Sequence, residues 1–180
     1  MAAYGGAELA AAFRTVRGNT LKAAEEIPED KYGFAPAEGS RTVAQTLAHI
    51  VNVSRFNHIV HSTGVKTIAG YNFAGMHQEN AAIEAKLQTK AQIIAALTSE
   101  GEKFASWLES LSDAFLAERV ENFDKVGSKS RLEMLLSPKE HEMHHRAQLM
   151  VTQRMIGVTP HLTRARMAQM AAAAAAAPKA

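Results

Sequence analysis

The chain of 180 residues contains no cysteine. That absence excludes disulfides, thiolate metal ligands and a cysteine nucleophile, so any thiol chemistry requires a thiol brought from solution. An excess of one charge is also lacking: 20 Lys and Arg against 18 Asp and Glu leave a net charge of +2, with the basic residues scattered rather than gathered into a stripe. Without a basic face, no nucleic-acid partner is expected. No window reaches the roughly 18 consecutive apolar residues that span a bilayer. The N-terminus, Met1 to Gly6, has no basic segment leading into an apolar one. A cytoplasmic protein with no membrane partner is therefore the expectation. No stretch reads as a convincing β-strand.

What is present fits a single soluble domain: 47% hydrophobic and 21% charged residues in a chain long enough to bury a sizeable core. Three-and-four spacing of Leu9, Phe13, Val16, Thr20, Ala24 and Ile27 predicts a first helix over 7–27, ended by Pro28. A second helix runs from Thr42 to His61, stopping before Gly64. The connection 63–88 reads as a loop with a short helix from Asn80. In it Tyr71, Phe73, Met76 and His77 either cover a pocket or pin the loop to the body. Thr89 caps a third long helix whose seam is Leu97, Gly101, Phe104, Leu108 and Leu111, with Gly101 suggesting close helix approach and Trp107 flanking the core. The segment 112–129 allows a helical turn around Ala114 to Arg119. The last long helix begins at Ser130, which forms a capping pair with Glu133, and carries Leu132, Leu135, Leu136, Met143, Met150 and Met155 on its apolar face. Pro138 either kinks that helix or restarts it, and a kinked continuous helix is favoured. Gly157 and Pro160 end it. The expected organisation is a bundle over 1–162 and an Ala-rich tail over 163–180, the latter a packed arm or frayed extension without chemistry.

Chemistry concentrates in Glu140-His141-Glu142-Met143-His144-His145-Arg146-Ala147-Gln148. His141 and His145 stand one turn apart, ~40° apart around the axis, and face one point. Two imidazoles do not close a transition-metal site, so a third ligand must come from another helix. His49, in the middle of the apolar run Thr46 to Val51 and on the face of Val53, Phe56 and Val60, is the candidate. A lone core histidine bonded to a backbone carbonyl is the plainer reading, and the pair on the last helix tips the balance. His144, ~60° from His141 in the other sense, also reaches that point in principle. Gln148, one turn beyond His145, is placed to line the pocket or orient a ligand. His58 and His61 rotate ~180° and ~120° away from His49 and read as solvated or interface residues. His141-Glu142-Met143-His144-His145 also matches the His-Glu-x-x-His string of zinc proteases, but Glu142 rotates away from the His141 face and no strand is present to border a peptide cleft.

The His-Glu-Met-His-His-Arg-Ala-Gln-Leu-Met string, the upstream Ser40 to His49 and Phe34-Ala35-Pro36 together resemble the DinB/YfiT-like superfamily over residues 5 to 160. One departure is Ala147, where many members have Gly. The resemblance implies an all-α four-helix bundle with extra short helices in its connections, and a divalent metal on the lone histidine of the second helix and the outer pair of the last: His49, His141 and His145. Neutral imidazoles suit zinc, nickel, iron or copper without selecting among them; zinc or nickel is expected first, with iron, manganese or cobalt behind them. The resemblance also implies thiol-dependent transferase or hydrolase chemistry on a small-molecule substrate, with a low-molecular-weight thiol as cosubstrate. The alternative is a non-catalytic stress-response bundle with a structural metal. A homodimer is expected as well, because relatives pair and the first three helices carry more apolar surface than one seam needs.

Overall fold

Three long helices begin at side chains that the sequence marks as caps. Thr42 Oγ1 accepts from Gln45 N at 3.2 Å while Gln45 Oε1 accepts from Thr42 N at 2.9 Å, and Thr89 and Gln92 repeat the exchange at 3.2 and 3.0 Å. Ser130 Oγ accepts from Glu133 N at 3.1 Å. In this computed structural model, which describes residues 4–176, the elements are α1 (Gly6–Glu26), α2 (Val43–Ser62), α3 (Phe73–Glu84), α4 (Lys90–Glu109), α5 (Asp113–Ala117), β1 (Arg119–Glu121), β2 (Ser128–Ser130), α6 (Arg131–Met155) and α7 (His161–Ala176). A single 3-10 turn, Glu29–Lys31, interrupts the loop after α1. Residues 1–3, within the N-terminus read above as lacking a signal, and 177–180, the end of the Ala-rich tail, lie outside the described residues.

Helices α1 and α2 each pack against both α4 and α6, which makes a four-helix bundle of cyclic order α1, α4, α2, α6. Its apolar core falls into two clusters. One joins Ile27, Leu47, Ile50, Ile93, Leu97 and Leu149; the other joins Leu9, Phe13, Phe104, Leu108, Leu116 and Leu135. On α1, α4 and α6 alike, a polar or glycine position lies between them in sequence: Arg17, Gly101 and Glu142.

These three residues form one arrangement. Arg17 and Glu142, 5% and 2% exposed at their side chains, make a bidentate pair with Nε to Oε1 and Nη2 to Oε2 both at 2.9 Å. Arg17 Nη1 donates to Leu97 O and Nη2 to Ser54 Oγ at 3.2 Å, so one guanidinium ties together all four helices of the bundle. A Cβ on Gly101 would lie 2.6 Å from Arg17 Nη1. The glycine expected to let two helix backbones approach instead leaves room for this arginine.

Several expectations change in the structure. The connection 63–88 contains a full helix, α3, starting at Phe73 rather than Asn80, with Asn72 Oδ1 accepting from Gly75 N at 2.9 Å to cap it. Arg119–Glu121 and Ser128–Ser130 pair as a short antiparallel ladder where no strand was expected; three-residue strands are too short to leave an alternating pattern. Helix α6 passes through Pro138 without a break. Met143 and Met155, expected on its apolar face, are 42% and 54% exposed, because the buried face is instead built from Leu135, Pro138, Glu142, His145, Leu149, Thr152 and Gln153.

His61, read as solvated, is 4% exposed. Its Nδ1 accepts from Arg131 Nη1 at 3.1 Å, and Arg131, itself fully buried, also donates to Val65 O and Glu118 Oε2. His58 is half-buried against the Trp107 ring at 5.0 Å. Helix α7 docks through its first turn, where Arg164 pairs with Glu26 and Arg154 Nη2 donates to Thr163 Oγ1 at 2.7 Å, and its remaining turns are exposed. Among the described residues no helix is long and apolar enough to cross a membrane.

Candidate metal centre

The local geometry of α6 brings His141 and His145 to one side, and the packing of α2 against α6 brings His49 to meet them. His141 Nε2 lies 3.1 Å from His49 Nε2 and 3.2 Å from His145 Nε2, and one nitrogen from each of the three rings falls within 4.8 Å of the other two. Two donors each ~2.0 to 2.1 Å from a common tetrahedral centre are roughly 3.3 Å apart, so the spacing fits a small divalent ion. His145 is buried, and His49 and His141 are half-buried.

The proton positions follow from the neighbours. His145 Nδ1 is 2.7 Å from Gln148 Oε1, which only accepts, so Nδ1 carries the proton and Nε2 presents its lone pair to the cluster. Gln148 uses its amide nitrogen on His144 Nε2, 3.1 Å away, which fixes the amide's orientation. His144 is exposed, with its Nε2 on Gln148 and its ring edge-on to that of His145 at 4.9 Å between centroids. His141 Nδ1 is buried without a partner among the described residues, so packing and its two Nε2 neighbours hold that ring.

Burial, joined by the positive charge of Arg41 and by the neighbouring rings, pushes His49 down to about 4. Burial and then His145, His144 and Arg41 push His141 to about 4. His145 is lowered by burial, against the opposing bond from Gln148, with His144 and Arg41 adding to the shift. Near neutral pH all three imidazoles are thus uncharged, the form that ligates a metal. Three lone-pair donors converging with no protonated partner among them suit a cation.

A cleft opens on each side of the cluster. The larger, about 780 Å³, includes Arg41, Thr46, His144, His145, Gln148 and Leu149 in its wall. The smaller, about 250 Å³, includes Arg41, His49, Asn52, Met76, His77 and Glu84. Gln148 thus lines the larger cleft as its position in the motif suggested. Met76 and His77 line the smaller one, while Tyr71 and Phe73 pack on Phe56 with ring centroids 5.3 and 6.2 Å away, so the two readings of that segment divide between its residues. Glu142 is tied up in its buried bidentate pair with Arg17, so the literal zinc-protease string does not supply a general base.

Two arginines, one bracing the helices of the site and one lining both clefts, were not singled out from the sequence. Arg17 sits in a helix whose periodicity was read from apolar residues alone, and its pairing with Glu142 spans 125 residues. Arg41 stands in a stretch noted only for its resemblance to a family. A charged residue immediately before a capping threonine was the available signal.

Comparisons with known proteins bear on the family and the fold. A family model described as the DinB superfamily matches residues 12–149. A DinB-like protein from Bacillus subtilis is similar in structure, with 23% identity over 84% of this chain and 93% of its own, at a TM-score of 0.63. YfiT from Bacillus subtilis, described as a probable metal-dependent hydrolase with an unusual four-helix bundle topology, shares 15% identity over 88% of this chain and 91% of its own, at a TM-score of 0.67. The colibactin self-resistance protein ClbS, solved in complex with a double-stranded DNA, shares 15% identity over 85% of this chain and 98% of its own, at a TM-score of 0.64. No curated protein matches the chain. A four-helix bundle with a histidine triad between α2 and α6, and a family match over residues 12–149, place this chain in the DinB superfamily.

Proposed function

We propose that the chain is a metal-dependent enzyme in which His49, His141 and His145 hold one divalent ion, and a nucleophile from solution attacks a small electrophile bound in the larger cleft. The observation that carries this reading is the convergence of three imidazole nitrogens, from His49, His141 and His145, between two clefts. When bound, an ion with three protein ligands keeps a position for an exogenous group and supplies the Lewis acidity that lowers the pKa of a thiol or water. Zinc or nickel suits neutral imidazoles, with iron, manganese and cobalt behind them.

The residues of the chain do the rest. Gln148 holds His145 in the tautomer that ligates through Nε2. His144, exposed in the larger cleft, is the imidazole outside the triad that faces the bound molecule there. The nucleophile comes from outside, because the chain has no cysteine and no serine or threonine of the site is paired with a base. A low-molecular-weight thiol is the first choice and water the second. The description of YfiT as a probable metal-dependent hydrolase supports the class of reaction.

The test is elemental analysis of protein purified without a histidine tag, followed by turnover assays of the zinc, nickel and cobalt forms with a haloaromatic electrophile and a panel of thiols. Transfer that requires both metal and thiol supports the reading. Metal without turnover or any spectral response of the cobalt form to thiols or water-derived ligands assigns the ion a structural role instead.

DNA is a partner to check, since ClbS was solved with one. This chain has a net charge of only +2, which favours a small molecule over a nucleic acid. Fluorescence anisotropy with a duplex oligonucleotide at low salt decides it: no binding at micromolar protein fits, and salt-dependent binding opposes.

A further inference from the structure

Arg41 is held in place by the loop that carries it. Ser40 Oγ donates to Ala37 O at 2.7 Å and accepts from Ala37 N at 3.1 Å. On the other side Thr42 is locked in its exchange with Gln45, while Val43 N and Ala44 N donate to Phe34 O and Tyr32 O at 3.0 and 2.9 Å. The backbone is therefore fixed on both sides of an arginine whose guanidinium has no ion pair or hydrogen bond among the described residues. Arg14, Arg17, Arg55, Arg131 and Arg164, by contrast, each pair with a glutamate.

Its location gives this free guanidinium a use. Arg41 is the residue shared by the walls of the two clefts that flank the histidine cluster. Among the described residues the wall of the larger cleft includes no acidic side chain to neutralise Arg41. Pro36, Val43, Leu149 and Val151 give that wall an apolar part, and Thr46, Gln148 and Thr152 a polar one. A volume near 780 Å³ is that of a site for a molecule of small-metabolite size.

We infer that Arg41 is the anion anchor of the larger cleft, and that the molecule bound there is a monocarboxylate with an apolar body, its carboxylate on the guanidinium fork and its body along the exposed apolar part of the wall, Pro36 and Val151. A planar carboxylate matches the fork in bidentate geometry. The apolar part of the wall beside that fork favours a carboxylate on an apolar body over a compact, strongly hydrated phosphate. The inference rests on the larger cleft being the substrate site of the proposed function, and it names the class of molecule received there.

The test uses two non-reactive probes, 3-phenylpropanoate and its uncharged amide, in chemical-shift titrations of the full chain with the metal it carries as purified. Neither probe is a thiol or an electrophile, so the outcome is independent of whether the protein catalyses transfer. The carboxylate is expected to bind at least about tenfold tighter than the amide, the range of one charge-assisted pair, with shifts at residues lining the larger cleft. Arg41→Gln is expected to abolish that preference while leaving amide affinity within about twofold, and Arg41→Lys to keep part of it. Because Arg41 is exposed and unpaired, neither variant threatens the fold. Equal binding of the two probes, a preference that survives in Arg41→Gln, as direct coordination to the metal would give, or no binding of either overturns the inference. Inorganic phosphate competing more strongly than the carboxylate would overturn the choice of monoanion.

Discussion

Replacing Glu142 by Gln keeps its shape but removes its charge, leaving the Arg17 guanidinium buried among four helices without a counter-ion. The pair is bidentate at 2.9 Å and both side chains are at most 5% exposed, so solvent screening does not soften the loss. Breaking one side of such a pair costs about 3–5 kcal/mol, a large share of the ~5–15 kcal/mol by which a domain is stable. At about 2–4 °C per kcal/mol for a chain of this size, the melting temperature falls by roughly 6–20 °C. Arg17→Met is expected to cost a similar amount by stranding the carboxylate. The double variant Arg17→Met/Glu142→Met recovers most of the loss, since two well-packed apolar chains replace a buried ion pair at little net cost. The assay is urea unfolding of all four proteins at pH 7, followed by circular dichroism. Glu142 precedes Met143 on the same turn as His141, so the single variants also loosen the rotational setting of α6, and their metal content should fall below that of the double variant. A Glu142→Gln protein within about 1 kcal/mol of the parent refutes the argument that this pair organises the bundle.

Alanine at His49, His141 or His145 should each reduce bound metal sharply while the helical signal persists, as elemental analysis and circular dichroism would record; a folded His49→Ala protein with full metal would remove His49 from the site. His61 is pushed from 6.5 to about 4 by burial and by Arg131, so below pH 6.5 the unfolded chain takes up a proton that the folded one refuses. Stability is therefore full above pH 6.5 and declines as pH falls toward 4, by up to ~3 kcal/mol from this residue, with His49 and His141 acting in the same sense when no metal is bound. Urea midpoints that stay level between pH 7 and pH 4.5 would contradict this. Met143 and Met155 leave apolar side chains exposed on α6, and a homodimer is expected to cover them. Sedimentation should give twice the 19.5 kDa chain mass, and a monomer at micromolar concentration would count against pairing.

The sequence by itself determined what depends on neighbours within one or two helical turns. Thr42, Thr89 and Ser130 mark helix starts because a cap and its partner are three residues apart, and they hold in the structure. The relative setting of His141 and His145 follows from helix geometry alone. Other features needed tertiary structure because hydrophobic periodicity does not register a polar interior. Helix α6 buries Glu142, His145, Thr152 and Gln153, so a reading that looks for apolar stripes assigned Met143 and Met155 to the core and sent both the wrong way. Gly101 carried a true signal of crowding, but its cause, the Arg17 side chain, comes from a helix 84 residues earlier in the chain. His61 was placed outside by its rotation from His49, which fixes where it points relative to that residue and says nothing of Arg131, brought over it by α6. The meeting of His49 with the α6 pair was likewise beyond local rules: resemblance to a family suggested it, and the packing of α2 on α6 decides it, because the three Nε2 atoms converge only once the bundle has its cyclic order.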